Sequence, residues 1–115
     1  MIAHVVLLNP RADLSETDRG RALEALARAF GTIPGIRRFR LGRRVLHGLP
    51  GYEQQMAVDY QYALMLEFDG VADLVAYLRA PAHGALGHLF SDATAAALAY
   101  DYELLDAADV GGLCG

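Results

Sequence analysis

Two residues in this 115-residue chain have the types and spacing for acid–base chemistry: Tyr77 and His83, in the stretch Tyr77-Leu78-Arg79-Ala80-Pro81-Ala82-His83. A phenol can donate a hydrogen bond to a carbonyl whose oxygen gains negative charge. A neutral imidazole can act as a general base. Together they suit proton abstraction beside a carbonyl, with stabilisation of the enolate that results. Pro81 cannot continue a helix but fits the first turn of a new one. The pair is therefore expected at a helix junction, with His83 in the electropositive first turn of the second helix. His4 alternates with Val6 and Leu8 and can reach the same space from an N-terminal strand. A histidine among such neighbours requires a buried polar partner. The same groups also admit a purely structural role, holding the junction together, and both readings stand at this point.

Other chemistry has less to rest on. His83 and His88 would lie about 140° apart around a helix turning roughly 100° per residue, and no carboxylate completes a ligand set, so no metal is expected. His47 sits in a loop without an identifiable partner. The chain has no P-loop, no GxGxxG and no nucleophile elbow, and no cofactor is expected.

The elements that must position these groups follow from periodicity. Ile2 to Leu8 reads as a strand stopped by Asn9-Pro10, apolar on both faces and so covered on both sides. Ser15 is a helix N-cap with Asp18 at the third position. Ala22, Leu23, Leu26, Ala27 and Phe30 follow at helical spacing, and Gly31 ends the helix. Thr32-Ile33-Pro34-Gly35 turns into a second strand over 36–43. The pattern is lost over 45–59, which reads as a long loop, a lid or an oligomer contact. A third strand over 60–68 puts Tyr62, Leu64, Leu66 and Phe68 on one face, with Ala63 and Met65 behind. Asp69-Gly70 leads into a helix with Val71, Leu74, Val75 and Leu78 inward and Tyr77 at the boundary of the core. A further helix is expected from Pro81 into the alanine-rich 93–97, then a last strand over 98–104 and a flexible tail over 107–115.

This β-α-β-β-α-(α)-β order is the split βαβ, ferredoxin-like arrangement of the α+β class: a four-stranded antiparallel sheet with helices on one face. Residues 1–106 form one domain. The strands are apolar on both faces, so two sheets packed face to face in a homodimer are expected. A hydrophobic fraction of 54%, above the usual roughly 45–50%, points the same way.

A net charge of −4 with ten basic residues argues against a nucleic-acid partner held by phosphate contacts. The basic residues cluster in Arg37-Arg38-Phe39-Arg40-Leu41-Gly42-Arg43-Arg44. This is either the solvated face of an edge strand, where charge discourages pairing between sheets, or an anion site. The single Cys114 rules out an intrachain disulfide. No apolar run approaches the roughly 20 residues of a membrane span, and the N-terminus lacks a signal-peptide layout. A cytoplasmic protein without membrane contact is the expectation.

The strand His4-Val5-Val6-Leu7-Leu8, the element Tyr77…Pro81-Ala82-His83 with Gly87 after it, and the closing Tyr100-Asp101-Tyr102 together resemble the stress-responsive α/β-barrel (Dabb) family. The resemblance runs from Ile2 to about Leu105. It implies ferredoxin-like dimers whose sheets share a barrel. Through the family's plant olivetolic acid cyclase, it also implies an aldol-type ring closure without metal or cofactor. His83 would then be the base, Tyr77 the assisting donor and His4 a pocket residue. Val6, Leu8, Leu26, Phe30, Tyr62 and Leu64 would line a pocket for a small, partly apolar ligand. The sequence departs from that pattern at Ala80, where the family often has histidine before the proline. It departs also at Leu26, Tyr62 and near Thr94, where the cyclase carries other ring-bearing side chains, so the substrate does not carry over. The alternative function is a non-catalytic structural or stress-response dimer without a substrate.

Overall fold

The computed structural model describes residues 1–52, 57–81, 83, 84, 87 and 94–114. Its elements are β1 (Ile2–Pro10), α1 (Glu16–Phe30), β2 (Arg38–Arg43), β3 (Tyr62–Phe68), α2 (Val71–Arg79) and β4 (Thr94–Glu103), followed by a 3-10 helix over Ala107–Cys114. The sheet order is β2-β3-β1-β4, and all three pairings are antiparallel. This is the expected ferredoxin-like α+β fold.

Strand β1 is central because both of its edges are paired. Its residue His4 stands opposite Leu66 of β3 and Asp101 of β4. Alternation then fixes two faces. One carries Val6, Leu8, Leu64, Leu66 and Phe68, which form the core with Leu26 and Phe30 of α1 and Leu74 and Tyr77 of α2. The other carries Val5, Leu7, Ala63, Met65, Leu98 and Tyr100, matched across β1, β3 and β4. Among the described residues no helix covers this second face, and Met65 and Tyr100 are exposed on it.

Local chemistry sets the element ends. The Ser15 hydroxyl accepts from the Asp18 backbone N–H at 3.1 Å, so one of the N–H groups left unpaired at the start of α1 is satisfied. Gly35, at φ 89°, supplies the left-handed turn that few other residues tolerate on the way into β2. The Asn9 side chain brackets the entry to β3, donating to the Asp59 carbonyl at 2.9 Å and accepting from the Gln61 N–H at 2.8 Å.

Four expectations are corrected. The alanine-rich 94–97 is strand, not helix, because Ala97, Ala96 and Thr94 pair with Leu8, Asn9 and Pro10. Those sheet bonds outweigh the helix preference of alanine, a margin below about 1 kcal/mol per residue. Strand β1 accordingly continues through Asn9-Pro10 rather than stopping there. Helix α2 is rotated from the expected stripe: Leu74 and Tyr77 are buried, while Val71 and Leu78 are exposed. In α1, Ala29 rather than Ala27 packs on the core. Pro81, His83, Gly84 and Gly87 are helical; the rest of the expected helix over 81–93, with His88, lies outside the described residues. Residues 44–52 and 57–61 hold no strand or helix, in keeping with the expected loop. None of the 3-10 residues is buried.

Phe68 has 0% exposure, so Phe68→Ala should cost about 3–5 kcal/mol of unfolding free energy. A urea titration followed by circular dichroism reads this as a midpoint shift at unchanged slope. A loss under about 1 kcal/mol would show that the layer between sheet and helices is not the stabilising core.

Candidate functional site

Tyr77 enters the core between the sheet and the helices. Its ring lies 5.5 Å from that of Phe68 and 6.4 Å from that of Phe30, centroid to centroid. The helix thus presents Tyr77 to the apolar layer, and α2 ends two residues later at Arg79. Pro81 follows, and the chain resumes helical geometry with His83. This break turns the His83 ring back onto Tyr77, at 4.8 Å and an edge-on angle of 73°. The His4 ring approaches the same phenol from β1, at 6.0 Å and 65°. Two imidazoles therefore flank one phenol.

These three polar groups open onto a cavity of about 310 Å³, whose apolar wall includes Val6, Leu26, Phe30 and Leu64. The volume is at the lower end of the roughly 300–1,000 Å³ typical of small-molecule sites. Of the residues expected at the pocket, Leu8 and Tyr62 are not on its wall. Leu8 is core beneath it, and Tyr62 packs against the core while lining a separate cavity. Leu66, Leu78, Gly87 and Ala99 join the wall without having been expected there.

His4 is the buried polar residue of the core, with 8% exposure. Its partner is Asp101 of β4, 2.5 Å from Nδ1. A carboxylate only accepts, so Nδ1 donates in this hydrogen bond, and in the neutral ring Nε2 is the acceptor. Asp101 therefore orients the ring and fixes its tautomer. Sequence reasoning asked for a polar partner without finding Asp101. Alternation places Asp101 on the face of Leu98's odd-numbered neighbours Ala97 and Ala99, but the register that sets it opposite His4 comes from the assembled sheet.

Burial pushes the Tyr77 hydroxyl from its ordinary value of 10.0 up to about 12, because a phenolate would lose its hydration there. At neutral pH the group is a hydrogen-bond donor and not a base. Among the described residues no group of three metal-ligating side chains forms, and no helix is long and apolar enough to cross a membrane.

The Tyr77 shift has a consequence for stability. The folded state holds the phenolic proton more tightly than the unfolded one, so this contribution is fully present below pH 10.0 and lost as pH rises towards about 12. Urea midpoints of Tyr77→Phe should therefore lose less than those of the parent across that window. Parallel losses in the two proteins would place the phenol in water.

The comparisons agree with this fold. A sequence model of the stress-responsive A/B barrel domain, Dabb, matches residues 2–104. Among proteins of curated function, none matches the sequence. A Dabb-family protein of Mesorhizobium loti with a ferredoxin-like fold superposes with a TM-score of 0.75 at 21% identity, over 91% of this chain and 97% of the other. A hydroxynitrile lyase from Passiflora edulis does so with a TM-score of 0.76 at 17% identity, over 91% and 94%. A dimeric ferredoxin-like protein of unknown function from Thermobifida fusca gives 0.69 at 22% identity, over 90% of each chain. At these identities the structural likeness is one of fold, whereas the sequence match spans nearly the whole chain: it is a member of the Dabb family.

Proposed function

We propose that this Dabb domain binds a small, partly apolar carbonyl compound between sheet and helices and acts on it as a cofactor-independent lyase or cyclase. The observation that carries the reading is the convergence of Tyr77, His83 and His4 on one apolar cavity. His83 takes a proton from the carbon beside the carbonyl, and the electrons of that C–H bond move onto the carbonyl oxygen. The Tyr77 hydroxyl donates to the resulting enolate. The enolate carbon then forms the new C–C bond to a second carbonyl, and the proton held on His83 passes to the alkoxide. The reverse sequence is a C–C cleavage. His4, oriented by Asp101, holds the substrate oxygen or relays the proton from the other side of the phenol. A lyase among the structural relatives is compatible with this chemistry on this fold.

The second reading, a dimer that binds or holds its junction without turnover, is favoured by one observation. Tyr77 is only 4% exposed and packs against two phenylalanines, as a core residue would. The readings separate in deuterium oxide with phenylacetone as probe. An enzyme exchanges the protons beside the carbonyl; His83→Ala should slow this by about 10²–10⁴ and Tyr77→Phe by about 10²–10³. The thermal midpoint of His83→Ala should stay near the parent's, since His83 is only partly buried. A large drop in midpoint with unchanged exchange makes His83 structural.

We further propose that the working form is a homodimer packed through the uncovered sheet face. Val5, Leu7, Met65, Leu98, Tyr100 and Tyr102 form a continuous apolar surface there, with Arg38, Arg40 and Glu67 at its margin. A dimeric neighbour of the same fold supports the arrangement. Sedimentation at micromolar concentration should give twice the chain mass, and Met65→Glu, which puts a charge at the centre of that face, should give the single-chain mass. A parent that sediments as one chain sinks the arrangement.

A further inference from the structure

The C-terminal segment takes no part in the site above, and its surface is unlike that of a solvated tail. The family match ends at residue 104, and the chain continues into the 3-10 helix over Ala107–Cys114. The Asp109 N–H donates to the Asp106 carbonyl at 2.9 Å at the start of that helix. In 3-10 geometry residues three apart stand one above the other. Ala107, Val110 and Leu113 therefore form one stripe, and Asp109 follows Asp106 on another. The segment is apolar along one side and acidic along a second.

Among the described residues nothing in its own chain covers the apolar stripe. Val110 is 52% exposed and Leu113 61%, and no residue of the helix is buried. The hollow beside it is walled, among the described residues, only by members of 103–113 and not by the body of the domain. A 3-10 run of eight residues is long for its kind. A short helix holding Gly111 and Gly112 is marginal without packing. Its support has to come from another surface.

Continuity and charge both point to a second copy of this chain. Leu98, Tyr100 and Tyr102 lie on the uncovered sheet face. Leu104, whose N–H donates to the Met1 carbonyl at 2.9 Å, extends that row by alternation. The stripe thus follows directly on the face assigned to the dimer. Over 94–115 the chain carries Asp101, Glu103, Asp106 and Asp109 and no arginine or lysine, whereas 36–44 carries five arginines and no carboxylate. Strands β2 and β4 are the two edges of the sheet. Two such sheets stacked about a two-fold axis set β4 over either the partner's β4 or its β2. The first brings acid against acid at the rim, and the second brings acid against arginine. Arg37 and Arg38 already pair with Asp69 and Glu67. Arg40, opposite Met65 on the uncovered face, is exposed and has no ion pair among the described residues.

We propose that residues 104–114 are an arm that crosses to a second copy of this chain and packs along its β2 edge. Leu104, Ala107, Val110 and Leu113 lie on the rim of the partner's sheet, and Asp106 and Asp109 turn towards the partner's Arg40. The lengths agree. Eight residues of 3-10 helix span roughly 16 Å at about 2.0 Å each. The row of Arg40 is that of Met65, Val5 and Tyr100, four strand residues or roughly 13 Å from Leu104. A two-fold axis makes the exchange mutual, so each copy gives one arm and receives one. The arm rests on the homodimer reading and deepens it, and it is independent of the chemistry assigned to Tyr77 and His83.

The test uses the full chain, whose single cysteine, Cys114, is exposed at the end of the arm and takes a nitroxide label. This chain is mixed with an isotope-labelled Cys114→Ser chain that carries no nitroxide. Amides of Arg38, Phe39 and Arg40 in the second chain should broaden most, which only an arm from another copy can cause. In sedimentation, the double change Val110→Ser and Leu113→Ser should raise the dimer dissociation constant about tenfold or more. Its circular dichroism should stay that of the parent, because neither side chain is buried in its own chain. Asp106→Asn with Asp109→Asn should raise the constant several-fold and reduce its salt dependence. A parent that sediments as one chain overturns the dimer and the arm together. A dimer without broadening between copies, with broadening strongest at the partner's β4, or with a dissociation constant indifferent to the Val110 and Leu113 changes overturns the arm alone.

Discussion

Strand β1 is hydrogen-bonded along both edges, and its two registers decide which side chains share a face. With His4 opposite Leu66 on one side and Asp101 on the other, every even-numbered residue from Ile2 to Leu8 points to the helices. A slip of one residue in β4 would move Asp101 to the opposite face. His4 would then be buried without its acceptor, and Tyr100 or Tyr102 would be forced under the helices. The core, the cavity and the uncovered apolar face are three results of this one alignment.

The candidate site puts polar groups into an otherwise apolar layer. Tyr77 occupies core volume, and His4 is buried at the centre of the sheet. An unpaired donor there would cost about 1–3 kcal/mol, and Asp101 removes that cost for His4. Asp101 itself keeps 44% side-chain exposure, so its charge stays hydrated on one side while it holds the ring on the other. The result is an oriented imidazole inside an apolar layer, without a fully buried ion pair and the desolvation such a pair brings.

The parts of this arrangement legible in the sequence are those set by local rules. Alternation identified β1 and β3 and their two apolar faces, and Ser15 with Asp18 marked the start of α1. The Pro81 break placed Tyr77 and His83 together. The parts that escaped depend on contacts distant along the chain. Thr94–Ala97 has helical composition and is held as strand only by pairing with Leu8, Asn9 and Pro10. The rotation that buries Tyr77 and exposes Leu78 answers to the space between Phe30 and Phe68, which no window of sequence contains. Leu8 and Tyr62 carry the right pattern for a pocket wall but sit where the core closes. Asp101 was visible within a family-like motif, though its bond to His4 was not.

The bond between His4 and Asp101 spans 97 positions of sequence, and β1 to β4 is the pairing with the widest separation in the sheet. Closing so long a loop is entropically slow relative to forming a helix or hairpin. During synthesis α1, β2, β3 and α2 can emerge and associate while one edge of β1 still lacks its neighbour. That edge stays open, with its backbone groups available to other strands, until residue 101 has been made. The cavity gains its oriented imidazole at the same moment. Completion of the sheet and completion of the site are therefore one folding event, and a nascent or truncated chain lacking β4 would carry Tyr77 and His83 in an unfinished pocket.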